Sequence, residues 1–225
     1  MNYTTVLLDL DNTILDFKAA EKVALKNTIE HLGIPFTQEL VNHYETVNHN
    51  LWSQYERGEI PKDQILETRF AEAFKSYNLP YSGNEMDRYF RNEIEENNVF
   101  MDHAEQFMEE LSKQAKIIFV TNGVTETQHR RIKLANLMSY AEGVVVSSET
   151  GYAKPMKEMF DYVFEKFNLT ELDKIVMIGD SLKADIQGGI NAGIDTIWYN
   201  PQQEMNETGI IPTYEISDLR DFFKE

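Results

Sequence analysis

The sequence predicts an α/β fold: a parallel-sheet core carrying an inserted all-helical cap domain. Three observations carry this. The early run "TTVLLD", Thr4 to Asp9, is apolar and rich in branched residues, the pattern of a strand buried on both faces. From Ala115 onward, strand-like and helical runs alternate, which builds βαβ units around a parallel sheet. Between these regions, from about Asp16 to Gln114, apolar residues recur at helical spacing and no run reads convincingly as a strand.

Taken in order, "AEKVALKNTIEHL" opens the helical stretch, and breaks fall at Gly33–Pro35, Gly58–Pro61 and Leu79–Gly83. After it, "AKIIFVTNG" is strand-like and "TETQHRRIKLANL" helical. "GVVVSS" is strand-like and "KEMFDYVFEKF" helical. "KIVMIGD" is strand-like and "KADIQGGINAG" helical. "DTIWYN" follows as a strand, and "SDLRDFFKE" closes as a helix. A lone first strand belongs with the sheet that resumes later, so the helical stretch is an insertion. We assign residues 1–15 and 100–225 to the core and 16–99 to the cap.

Composition narrows the function. A chain of 225 residues suffices for one core domain with a smaller inserted one. The net charge of −17, with no basic run, argues against a nucleic-acid polymer as partner. A small anionic substrate would need local positive charge from a metal ion, a lysine or backbone N–H groups. The absence of cysteine excludes disulfides, thiolate metal sites and a cysteine nucleophile. The start does not read as a signal peptide, and no apolar stretch reads as a membrane span. The expectation is a cytoplasmic protein, a monomer or weak homo-oligomer.

Ligands in open α/β sheets bind beyond the carboxyl ends of the strands. The first strand ends in Asp9, Asp11 and Thr13. The second ends in Thr121, Asn122 and Gly123. "GVVVSS" leads through "ETGYAKP" to Lys154, and "KIVMIG" leads to Asp180, Ser181 and Asp185. Two aspartates one residue apart at the end of a buried strand repel each other unless a cation or a reaction requires them. This set suits a divalent cation beside a phosphate. Asp9 would attack phosphorus and form an aspartyl-phosphate, while Asp11 gives a proton to the leaving group and later takes one from water. Mg²⁺ favours oxygen ligands, and Asp9, Asp180 and the Asp11 carbonyl would hold it. Thr121 and Lys154 would take the phosphate oxygens, with Asn122 adding an N–H. Thr13, Ser181 and Asp185 would support them. Asp185 either joins the metal or only orients nearby backbone.

In order, "DLDNT", "VTNG", "GYAKP" and "GDSLKAD" resemble the four motifs of the haloacid dehalogenase (HAD) superfamily of phosphatases. No core motif position departs from the pattern. The resemblance covers the first strand and everything after about Ala115. It implies a Rossmann-like core, Mg²⁺ as cofactor, Asp9 as nucleophile and Asp11 as acid and base. It likewise implies Thr121 and Lys154 as phosphate ligands and Asp180 as metal ligand. In the cap, "LWSQYERGEI" followed by "RF" resembles the bacterial nucleotidases that act on pyrimidine 5′-monophosphates, and the later core run "DIQGGINAGIDTIWYN" fits the same branch. A small phosphorylated metabolite is the expected partner. Trp52 and Tyr55 are candidates for stacking on a base, although aromatic residues three apart on a helix also serve as packing. The competing readings are a phosphoglycolate or sugar-phosphate phosphatase, a β-phosphoglucomutase-like mutase, and a non-catalytic binding protein of the same fold. Dehalogenase chemistry needs neither Asp11 nor Mg²⁺.

Overall fold

A computed structural model describes residues 3–224 and divides the chain into two compact units, Met1–Asp16 with Val99–Glu225, and Phe17–Asn98. In the first unit, six strands among the described residues form one parallel sheet. They are β1 (Thr5–Leu8), β2 (Lys116–Thr121), β3 (Gly143–Val146), β4 (Ile175–Gly179), β5 (Asp195–Tyr199) and β6 (Tyr214–Ile216), in the order β3-β2-β1-β4-β5-β6. The order reverses between β1 and β4, and such a switch point is where ligands bind in sheets of this kind.

The unbroken apolar run of β1 follows from its central place. Val6 and Leu8 pack with Ile117, Phe119, Val176 and Ile178 on one face. Leu7 packs with Ile118, Val120 and Met177 on the other. Side chains alternate between faces, and both faces are covered, so Val6, Leu7 and Leu8 are all apolar. The register pairs Leu8 with Phe119 and with Ile178, which aligns the carboxyl ends of three strands.

Phe17–Asn98 is all helical: α1 (Phe17–His31), α2 (Gln38–Glu56), α3 (Lys62–Ala73) and α4 (Gly83–Glu96). The helix ends fall at the sequence breaks, and Ser82 starts α4 with a capping box closed by Glu85. Its apolar core centres on Tyr44, Phe70 and Phe90. Inside it lies a buried ion pair. Arg69 Nε donates to Asp87 Oδ1 at 2.7 Å, and Arg91 Nε donates to Asp87 Oδ2 at 2.7 Å. Arg69 also reaches Asn48 Oδ1 at 3.2 Å. The "RF" element of the sequence is therefore a packing element here. Removing the carboxylate would leave a buried guanidinium uncompensated, so Asp87→Ala is expected to lower the unfolding free energy by about 3–5 kcal/mol, read by urea denaturation.

The core unit adds α5 (Ala104–Leu111), α6 (Thr125–Leu134), α7 (Ser147–Thr150), α8 (Lys157–Lys166) and α9 (Gln187–Ala192). Three segments differ from the sequence expectation. "GVVVSS" leaves the sheet at Val146, and Ser147 begins a helical turn. Leu182–Ile186 forms a π-helical turn ahead of α9. The closing run is a 3₁₀ segment, Leu219–Lys224, rather than a regular helix. Strand β6 is an addition: three residues at the sheet edge, two of them exposed, are too few to show alternation. No helix among the described residues is long and apolar enough to cross a membrane.

Candidate active site

The candidate residues of the core meet at the switch point. β1 stops at Leu8, and the Asp9 N–H still donates to Ile178 O at 2.9 Å, tying the end of β1 to β4. The chain then turns through Asn12, whose φ of 59° is a left-handed conformation that asparagine tolerates. That turn brings Thr13 back toward the strand end. The buried Thr13 hydroxyl donates to Asp9 Oδ2 at 3.3 Å and accepts from the Asp180 N–H at 3.2 Å. One hydroxyl thus joins the ends of β1 and β4. The Trp198 indole N–H fixes the Asp180 carbonyl at 2.8 Å.

Lys154 is buried at the centre. Its Nζ donates to Asp9 Oδ1 at 2.5 Å, to Asp185 Oδ1 at 2.6 Å and to Val120 O at 2.7 Å. These three acceptors use the full donor set of an ammonium. The backbone of Lys154 is gripped by the Asn122 side chain, which accepts from its N–H at 2.8 Å and donates to its carbonyl at 2.9 Å. The Asn122 amide therefore holds the lysine in place. Asp185 sits on the π-helical turn, and its Oδ2 accepts from the Ser181 N–H at 3.0 Å. Ser181 in turn caps this turn by accepting from the Ala184 N–H at 3.1 Å. A Cβ at Gly179 would lie 2.2 Å from Asp185 Oδ2, so the close approach of β4 to this carboxylate requires glycine there.

Carboxylate oxygens of Asp9, Asp180 and Asp185 lie within 4.8 Å of one another. The charges are strongly coupled. Burial pushes the Asp9 carboxyl up to about 7; the Lys154 charge opposes that rise, and Asp185 and Asp11 add to it. Burial works against the Lys154 charge, but Asp185 and Asp9 outweigh it and hold its pKa above the ordinary lysine value.

The Thr121 hydroxyl accepts from Gln128 Nε2 at 2.8 Å and from the Gly123 N–H at 3.3 Å. Asp11 is held apart from the lysine: Gln128 Nε2 donates to its Oδ2 at 2.8 Å, and Arg131 Nη1 pairs with its Oδ1. Gln128 and Arg131 belong to no motif, and "TETQHRRIKLANL" reads from the sequence only as a helix. The buried face of α6 carries Thr127, Gln128 and Arg131 beside Ile132, polar groups where an ordinary helix would place apolar ones. Trp52 and Tyr55 lie in the helical unit on α2, half-buried and edge-on at 5.8 Å, with Lys62 Nζ 5.0 Å above the Tyr55 ring.

The family model of haloacid dehalogenase-like hydrolases matches residues 3–193. The chain belongs to this family. It is a HAD hydrolase, and two nucleotidase relatives align over nearly its whole length. It is 34% identical to pyrimidine 5′-nucleotidase PynA of Streptococcus pneumoniae over 222 residues, covering 98% of this chain and 94% of that protein. It is 30% identical to pyrimidine 5′-nucleotidase YjjG of Escherichia coli over 221 residues, covering 98% and 96%. The crystal structure of YfnB from Bacillus subtilis bound to magnesium superposes with a TM-score of 0.91 at 40% identity, covering 100% of this chain and 98% of that one.

Proposed function

We propose that this HAD hydrolase is a Mg²⁺-dependent phosphomonoesterase that works through an aspartyl-phosphate on Asp9 and hydrolyses pyrimidine nucleoside 5′-monophosphates. The observation that carries the reading is the meeting of Asp9, Asp180 and Asp185 with Lys154 at the sheet's switch point. The donor set fits the metal. Three carboxylates against one ammonium leave an excess of negative charge, and hard oxygen donors suit Mg²⁺. Asp9, Asp180 and the Asp11 carbonyl would hold the ion, with Asp185 beside them. Bound there, the metal supplies positive charge that keeps Asp9 a carboxylate despite its burial and neutralises phosphoryl oxygens.

The residues of the chain divide the work. A phosphoryl oxygen replaces Asp9 on the Lys154 ammonium, which frees the carboxylate to attack phosphorus. The Asp9–phosphorus bond forms, and the bond from phosphorus to the ester oxygen breaks. Asp11 enters this step as the carboxylic acid, its proton on a lone pair that the Arg131 and Gln128 hydrogen bonds leave open, and delivers that proton to the leaving oxygen. It then takes a proton from water, which attacks phosphorus, releases phosphate and restores Asp9. Thr121 already accepts two hydrogen bonds, so its own proton is left to donate and would go to a phosphoryl oxygen. Asn122 serves through its backbone and through its grip on Lys154. The pyrimidine preference rests on the resemblance to PynA and YjjG.

A phosphate-release assay across nucleotides, sugar phosphates and phosphoglycolate tests this. Pyrimidine 5′-monophosphates are expected to exceed the other substrates by about tenfold or more in kcat/KM, ~1.4 kcal/mol of discrimination. Excess EDTA is expected to bring release to background and added Mg²⁺ to restore it. Preference for phosphoglycolate would overturn the substrate and leave the chemistry standing. Activity that survives EDTA would overturn the metal.

A further inference from the structure

The inward face of α6 holds a charge that ordinary packing does not explain. Arg131 is fully buried, and a buried guanidinium is costly without an ionic partner. One partner is Asp11, whose side chain is 26% exposed. Here each oxygen of the carboxylate has its own donor, Arg131 Nη1 on Oδ1 and Gln128 Nε2 on Oδ2. The two donors are also joined to each other, since Arg131 Nη1 donates to Gln128 Oε1 at 3.0 Å. They lie three apart on one helix, which brings both side chains to the same place.

The Gln128 amide has one orientation in this network. Turned over, its oxygen would face the Asp11 carboxylate and its NH₂ would face the Arg131 N–H, two repulsions in place of two bonds. In the observed orientation, the same Nε2 also donates to Thr121 Oγ1 at 2.8 Å. The backbone leaves room for it. A Cβ at Gly123 would lie 2.4 Å from the Gln128 side chain. A single amide thus links the proposed proton carrier to a proposed phosphate ligand.

We propose that Gln128 and Arg131 are positioning residues that aim the Asp11 carboxyl at the ester oxygen and at the water that follows. The inference rests on the phosphomonoesterase reading, in which Asp11 is the acid and then the base. Neither residue touches the reacting atoms. Both act by fixing which way the Asp11 carboxyl faces, the part that outer-shell hydrogen bonds play around metal and catalytic groups.

Leaving-group dependence separates this role from a structural one. An alkoxide, as in a nucleoside 5′-monophosphate, needs a proton to depart. A nitrophenolate is a stable anion and departs without one. The experiment is rapid-quench measurement of the first turnover, with full-length protein and Mg²⁺, on a pyrimidine 5′-monophosphate and on p-nitrophenyl phosphate. Gln128→Leu and Arg131→Met are expected to slow the first turnover of the nucleotide by about 10–100-fold. Its KM and the first turnover of the nitrophenyl ester are expected to stay within about threefold of wild type. Arg131→Lys, which keeps the charge but not the planar fork, is expected to fall between. Equal losses on both substrates, or no loss on either, would overturn the proposal. Should Arg131→Met not fold, Gln128→Leu, which removes no charge, decides the matter alone. Asp11→Asn separates the two levels. If it is slow on the nucleotide while Gln128→Leu and Arg131→Met are normal, only the positioning role fails. If it is unimpaired, or wild type is inert on both esters, the underlying reading fails and this inference with it.

Discussion

Asp9→Asn is expected to fold and to lose phosphate release by about four orders of magnitude or more, the scale of removing a covalent nucleophile. The change preserves volume and removes the carboxylate that attacks phosphorus. It also removes a crowded charge. Burial already disfavours the Asp9 carboxylate, and its Asp185 and Asp11 neighbours add to that cost. Lys154 retains Asp185 and Val120 O as acceptors. Thermal unfolding of this variant should therefore stay close to wild type, which separates loss of chemistry from loss of fold. Appreciable turnover in a folded Asp9→Asn protein would remove Asp9 as the nucleophile.

Lys154→Met is expected to damage both fold and activity. The substituted side chain has similar length and no charge. It would leave Asp9 and Asp185 buried beside each other, with Asp180 near both and no ammonium among them. Breaking a buried pair by removing one partner costs about 3–5 kcal/mol. For a chain of this size that lowers the unfolding temperature by roughly 6–20 °C. Added Mg²⁺ should return part of the loss, since a cation held only by the folded state stabilises it by mass action. Thermal unfolding with and without Mg²⁺ reads this. A variant as stable as wild type without the metal would mean that Lys154 does not neutralise the cluster.

The legible parts of the molecule are those where burial leaves a long pattern. β1 reads directly because both its faces are covered, and the two aspartates at its end stand out against that run. Lys154 does not stand out in the same way: a lysine before a proline is ordinary, and its burial depends on Asp185 and Val120 arriving from distant segments. The reach of Asn122 back to the lysine backbone spans 32 residues and leaves no local trace. Arg131 and Gln128 were hidden for a related reason. Helical periodicity reports which residues share a face, and only the tertiary position of α6 shows that this face looks onto Asp11. The π-helical turn at Leu182–Ile186 and the edge strand Tyr214–Ile216 are too short to carry a period of their own.

The most direct test of the central claim is to trap the covalent intermediate. Asp11→Asn should still accept phosphate from p-nitrophenyl phosphate, and it should release that phosphate slowly. Acid quenching during turnover, borohydride reduction of the acyl phosphate and peptide mass spectrometry would locate the modified residue. The account predicts the reduced side chain at position 9 and at no other aspartate. Modification elsewhere, or none while turnover proceeds, would contradict it.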